Sequence, residues 1–342
     1  MKKRALMIGG TGTISTAVVR QLMDSGEWEV WVLNRGNRQD ALPAGVHSIL
    51  ADIGDEDAVL EKLGTMTFDS VCEFIAFERH QVERDVRLFA GRTKQYLFTS
   101  SASAYHKPAA DYRITEGTAL ANPFWEYSRN KIACEEYLME KYRKEGFPVT
   151  IVRPSHTYDE RKVPVGVHGK NGSWQVLKRM MDGKPVIIHG DGTSLWTLTF
   201  NTDFAVGYTG LMGSRHAIGE AFQITGDETL TWNQIYQTIA DALGVELKAY
   251  HVSSDFLAEA GKSCGYDFSG SLTGDKAASV VFDNRKLKQA VPTMKTAVRF
   301  DQGARIAVEY MLSHPECQKE DPEFDSWCDR VIQALEKAKG EV

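Results

Sequence analysis

Short, mainly apolar runs alternate with stretches whose apolar side chains recur at helical spacing. Runs at 5–8, 29–33, 46–50, 70–75, 95–99 and 149–152 read as strands. The segments 55–63, 78–91 and 125–145 read as helices, and after the first run Ile14, Val18 and Leu22 share one helical face. Strands that lack polar alternation are buried on both sides. The pattern therefore predicts an α/β chain built on a parallel sheet with helices on both faces. Beyond Pro154 the rhythm changes. An irregular loop is expected at 159–173 and strands at 185–189 and 221–225. Helices are expected at 174–182, 203–212, 232–243 (opened by Thr231), 301–313 and 323–339. Residues 263–276, rich in Gly, Ser and Asp, read as a mobile loop.

The first strand runs into Gly9-Gly10-Thr11-Gly12-Thr13-Ile14-Ser15. A strand, a glycine turn and a helix N-terminus together point free N–H groups and a positive dipole end at one spot, which is an anion site. Gly9 permits the turn and Gly12 lets a pyrophosphate approach the backbone, while Ser15 stands where the usual fingerprint has its third glycine. Gly9, Thr11, Gly12, Thr13 and Ile14 are thus candidate dinucleotide contacts. The fold class that follows is a Rossmann-type doubly wound sheet, with a smaller α+β C-terminal substrate lobe. Residues 1–158, with returning segments near 195–225, form the dinucleotide domain; 159–194 and 226–342 form the substrate lobe, and the cleft between them is the site.

The second strand ends in Asn34-Arg35-Gly36-Asn37-Arg38, with no carboxylate before Asp40. A carboxylate there would accept from the ribose 2′-hydroxyl and repel a 2′-phosphate, whereas Arg35 and Arg38 suit a phosphate. NADP is the expected cofactor, with NAD bound through Asn34 as the alternative. Asp52 and Ile53, after the third strand, are placed to meet the adenine.

Tyr127 and Lys131 stand four apart in a predicted helix and project from one face. A free tyrosine has a pKa near ~10, and an adjacent ammonium favours the phenolate. Such a pair can pass a proton to or from a carbinol oxygen during hydride transfer. Upstream, Thr99-Ser100-Ser101-Ala102-Ser103 places hydroxyls at the end of the fifth strand.

Together these segments resemble an extended short-chain dehydrogenase/reductase of the NAD-dependent epimerase/dehydratase family. Further matches are Arg153-Pro154-Ser155-His156-Thr157-Tyr158, Gly190-Asp191-Gly192 and Phe200-Asn201-Thr202-Asp203-Phe204-Ala205. The resemblance covers roughly residues 1–310. It implies Ser101 as the catalytic hydroxyl, Tyr127 as acid/base, and Lys131 as the group that lowers its pKa and holds the nicotinamide ribose. Ile75, Ala76, Thr99, Pro154 and His156 would lie along the cofactor. Ser103, His156, His168 and Trp196 are candidate substrate contacts, and Asp203 reads as a helix N-cap. Family dehydratases carry an acid pair after the catalytic hydroxyl; Ala102 and Ser103 stand there, which disfavours dehydration. The expected substrate is a small molecule, a sugar or sugar-nucleotide, processed by an epimerase. An NADP-dependent reductase of a small carbonyl compound is the alternative, as is a non-catalytic NADP-sensing relative, because Asn34-Arg35-Gly36 resembles the chloroplast stem-loop RNA-binding branch. The resemblance also implies a homodimer.

Composition narrows this further. A net charge of −6 disfavours nucleic acid, and no apolar stretch approaches a membrane span, so a cytoplasmic location is expected. Five scattered cysteines read as free thiols, and no His/Cys cluster has metal-ligand spacing, so no metal is expected.

Overall fold

The structure is a computed structural model in which residues 2–37 and 42–341 are described; the candidate Arg38 lies outside them. The first half holds β1 (Lys3–Ile8), α1 (Thr13–Ser25), β2 (Trp28–Asn34), β3 (His47–Leu50), α2 (Glu56–Leu63), β4 (Ser70–Glu73), α3 (Arg79–Phe89), β5 (Tyr96–Thr99), β6 (Arg113–Ile114), α4 (Glu126–Glu145), β7 (Val149–Pro154) and β8 (His156–Tyr158). The second half holds α5 (Trp174–Met181), β9 (Val186–His189), β10 (Leu195–Phe200), α6 (Asn201–Leu211), β11 (Ala221–Ile224), β12 (Thr229–Thr231), α7 (Trp232–Leu243), β13 (Ala249–Val252) and α8 (Ser254–Lys262). It closes with β14 (Val281–Phe282), α9 (Arg285–Ala290), α10 (Phe300–Ser313) and α11 (Pro322–Gly340).

Seven parallel strands form the central sheet in the order β11-β7-β5-β4-β1-β2-β3. Strand β1 shows why the run is apolar throughout. Ala5 and Met7 pack with residues of α1 and α6, while Leu6 and Ile8 face α2, α3 and α4. With a period of two, both faces of the strand are core. The strand order reverses between β1 and β4, so the crevice for a ligand opens where Ile8 and Glu73 end.

The second core is built from α5, α7, α10 and α11 around the small pairs β9–β13 and β8–β10–β12. Between its segments the chain returns to the first core with α6, β11 and α9. All five cysteines are free, and among the described residues no helix is long and apolar enough to cross a membrane.

Three local expectations change. Strand β4 stops at Glu73 because its carboxyl caps the next turn, accepting from the Ile75 N–H at 2.5 Å and the Ala76 N–H at 2.7 Å. Asp203 is not an N-cap; it sits inside α6 and accepts from the Val298 N–H at 2.9 Å. Residues 269–276 coil into a wide helical turn with Gly270, Leu272 and Gly274 buried. The glycines that read as a loop are there for packing, since a Cβ on Gly270 would lie 2.1 Å from the Trp125 ring. Thr231 does open α7, accepting from the Gln234 N–H.

Beneath the carboxyl ends lies a buried ion pair. Arg153 on β7 grips Glu135 on α4 through Nε (2.9 Å) and Nη2 (2.5 Å), and Nη1 reaches the Tyr105 hydroxyl at 3.3 Å. The Ser100 hydroxyl bonds to the same carboxylate. Removing one partner leaves an unpaired buried charge. Arg153→Met is therefore expected to destabilise by about 3–5 kcal/mol in urea unfolding. Adding Glu135→Leu should return part of that loss.

Candidate active site

The glycine turn is held by a side chain that motif matching treats only as a small substitute. Ser15 is buried; its hydroxyl accepts from the Gly12 N–H at 2.9 Å and donates to the Gly9 carbonyl at 2.7 Å. Gly9 has φ +83°, and a Cβ there would strike Ile75 at 2.4 Å. Both facts require glycine. Asn201 fastens the adjoining helix, donating to the Thr13 carbonyl at 3.1 Å, and Ile14 packs inward against the first core.

Gly9, Thr11 and Gly12 line a cleft of about 1020 Å³. Asn34, Arg35, Asp52, Ile53 and Ile75 line it too. Phe77, His80, Arg84 and Arg87 from the α3 side complete the wall, and the sequence pattern did not point to them. The Asn34 carboxamide oxygen accepts from the Gly36 N–H at 2.8 Å, while its Nδ2 is buried without a partner among the described residues. An orphaned donor at the end of β2, beside a bare glycine turn, fits the ribose of a dinucleotide.

Helix α4 joins this cleft to a second cavity of about 420 Å³, lined by Ser101, Ser103, Tyr127, Pro154, His156 and Trp196. Lys131, one turn below Tyr127, is 1% exposed. Its Nζ donates to the Ala76 carbonyl at 2.7 Å and the Thr99 carbonyl at 2.8 Å, tying the ends of β4 and β5 to the helix. Burial lowers the Lys131 pKa to about 8. The Thr99 hydroxyl beside it is buried without a partner among the described residues. Tyr127 packs between Trp125, at 4.9 Å between ring centres, and Phe77, at 6.2 Å. Burial pushes its phenol upward, and the Ser101 hydroxyl beside it draws it back.

The serines form a hydrogen-bonded chain. Ser128 donates to Ser103 at 2.7 Å, Ser103 meets Ser101 at 2.9 Å, and the Ser103 N–H also points to Ser101 at 3.2 Å. His156 accepts from the Trp196 Nε1–H at 3.2 Å through Nδ1, and burial holds the ring neutral. Its proton is thereby assigned to Nε2, which makes it a hydrogen-bond donor rather than a base. His168 lies outside the lining of this cavity, exposed and bonded to the Gly169 carbonyl.

Glu73 escaped the sequence reading because a carboxylate ending an apolar strand carries no motif. Burial and the nearby Asp85 push its carboxyl well above the usual carboxylate range, and its oxygen shapes the turn at residues 75–76. Lys107, Trp125, Lys162, Asp275, Lys276 and Phe282 also line the second cavity and had no local signal.

The fold and this two-part crevice define a dinucleotide-binding α/β protein of the short-chain dehydrogenase/reductase type. A family profile for the NAD dependent epimerase/dehydratase family matches residues 5–225, more than half of the chain, and the chain belongs to that family. It is similar to 2′-dehydrokanamycin reductase of Streptomyces kanamyceticus, 26% identical over 256 residues, 75% of this chain and 71% of that protein. It is similar to UDP-N-acetyl-α-D-glucosaminuronate decarboxylase of Bacillus cytotoxicus, 23% identical over 278 residues, 74% and 84% of the two chains. The crystal structure of dTDP-glucose 4,6-dehydratase from Bacillus anthracis, in complex with NAD, matches with TM-score 0.71 at 17% identity, covering 92% of this chain and 98% of that one.

A lysine whose folded pKa lies below its unfolded value binds fewer protons folded than unfolded in that interval, so stability rises with pH there. For Lys131 the window runs from about 8 to the ordinary 10.5. The wild type should therefore gain stability relative to Lys131→Met as pH rises through this window, measured by denaturant unfolding. A separate check concerns the turn. Ser15→Ala leaves a buried donor and acceptor unpaired and should cost about 1–3 kcal/mol while weakening dinucleotide binding, read by unfolding and by titration.

Proposed function

We propose that this chain is an NADP(H)-using enzyme that acts by hydride transfer at a carbinol or carbonyl carbon of a sugar or sugar-nucleotide. One observation carries the proposal: a single turn of α4 puts Tyr127 in the second cavity and Lys131 under the backbone that borders the dinucleotide cleft. Bound nicotinamide supplies the hydride or accepts it. Tyr127 gives its phenolic proton to the substrate oxygen in the reducing direction and takes it back in the other. Ser101 donates to the same oxygen and orients it. Lys131 fixes the ends of β4 and β5 and, with the cofactor in place, supplies the cationic field that favours the phenolate.

Preference for NADP over NAD is supported by Asn34 and the exposed Arg35 at the cleft wall and by a sequence with no carboxylate between Asn34 and Gln39. Dehydration is disfavoured because Ala102 and Ser103 offer no acid pair behind Ser101. The sugar class is supported by the names of the relatives, a kanamycin-type reductase and a sugar-nucleotide decarboxylase. The proposal includes a homodimer in the cytoplasm, and sedimentation of the purified protein tests the first part.

Tyr127→Phe should lower kcat by about 10²–10⁴ and leave dinucleotide affinity unchanged. Retained turnover would remove Tyr127 from the chemistry. Arg35→Ala should weaken NADPH binding by about tenfold or more with NADH binding unaltered, in a direct titration of both nucleotides. Stoichiometric NADPH oxidation marks a reductase, and turnover on a retained nucleotide marks an epimerase.

A further inference from the structure

The second cavity contains charge that hydride transfer does not use. Lys107 is 2% exposed, and a buried ammonium is costly unless an anion meets it. Its nearest carboxylate, Asp275, lies 3.6 Å away, beyond hydrogen-bonding distance. The flat face of Trp196 lies beneath it, 6.0 Å from the ring centre. Lys276 follows Asp275 and lines the same cavity, its Nζ donating to the Ser271 carbonyl at 3.2 Å, and Lys162 lines it too, so three lysines and one aspartate share the cavity wall.

These groups are fastened in place. The Lys276 carbonyl accepts from the Trp232 Nε1–H at 3.1 Å and the Ser194 hydroxyl at 3.2 Å, and the His189 Nε2 lies at 3.2 Å. At the other end of the turn, the Asn122 side chain donates to the Gly274 carbonyl at 2.7 Å and to the Ser103 carbonyl at 2.9 Å. Asn122 thereby locks the segment that carries Asp275 and Lys276 to the segment that carries Ser101. A preorganised cationic wall spends little free energy on ordering when an anion binds. Trp125, Trp196 and Phe282 supply apolar surface for the C–H face of a ring.

We propose that Lys107 and Lys276 form an anion-holding subsite in the substrate cavity, so that the substrate bears a carboxylate or phosphate group that replaces Asp275 as the partner of Lys107. The assignment rests on the hydride-transfer reading of Tyr127 and names the substrate class of that same site. The same wall repels polycationic sugars, so an aminoglycoside is not the expected substrate.

The test titrates the full-length protein, with NADP present, against glucuronate, glucose 6-phosphate, glucose and kanamycin by calorimetry. At least one anionic sugar is expected to bind about tenfold or more tighter than glucose, with kanamycin weakest. The tighter of the two anions identifies carboxylate or phosphate as the source. Lys107→Met and Lys276→Met should each bring the anion to the level of glucose, and Lys107→Arg should keep the preference. Equal binding of glucose and both anions, or a preference that survives both Met variants, overturns the subsite. NADPH affinity measured on the same samples separates the two readings. If NADPH binds without any anion preference, the subsite alone fails. If NADPH does not bind, the hydride-transfer reading fails, and the sugar titrations still judge the subsite.

Discussion

One ammonium group holds the crevice together. Lys131 is buried almost completely and satisfied by two backbone carbonyls, Ala76 after β4 and Thr99 at the end of β5. Two strand ends and the helix that carries Tyr127 meet at this point. Burying a cation in a helix-covered sheet disfavours the charged form, and the Lys131 pKa is lowered accordingly.

Other buried polar groups extend the same arrangement. Glu73 caps the turn that presents the Ala76 carbonyl. Glu135, one turn beyond Lys131 on α4, ties Ser100 and Arg153 together. Glu73 meets backbone N–H groups just past β4, where the ladder stops, and Glu135 meets side chains at the ends of β5 and β7. The carboxyl edge of the sheet is thus rigid in the places where a proton and a hydride must be positioned to within a fraction of an ångström.

Much of the site was legible because its parts are local. Gly9 and Gly12 sit one turn apart, and Tyr127 and Lys131 one helical turn apart; chain spacing alone puts each pair together. Ser15 was legible as a small residue but not as the clasp of the turn, because its two hydrogen bonds exist only once the turn has closed. The expectation that Lys131 lies against the phenol also needs qualification by geometry. Its Nζ points to two carbonyls and sits 6.0 Å from the centre of the Tyr127 ring, so burial dominates the phenol in the structure as it stands.

The apolar runs on their own specified a parallel sheet covered on both faces, since a strand without polar alternation has no side that tolerates water. They also specified the strand–glycine–helix crevice, because backbone geometry and residue type coincide within a dozen positions. The substrate wall needed the folded chain. Lys107, His156 and Lys276 stand far apart in sequence and acquire a shared chemistry only when Asn122 and Trp125 seat the 269–276 turn beside Ser103. Glycines and serines that favour a loop in isolation become a packed turn when an indole fills the space their missing side chains leave. Local propensity is set by a residue and its neighbours, whereas a binding cavity is set by contacts between segments that no periodicity links.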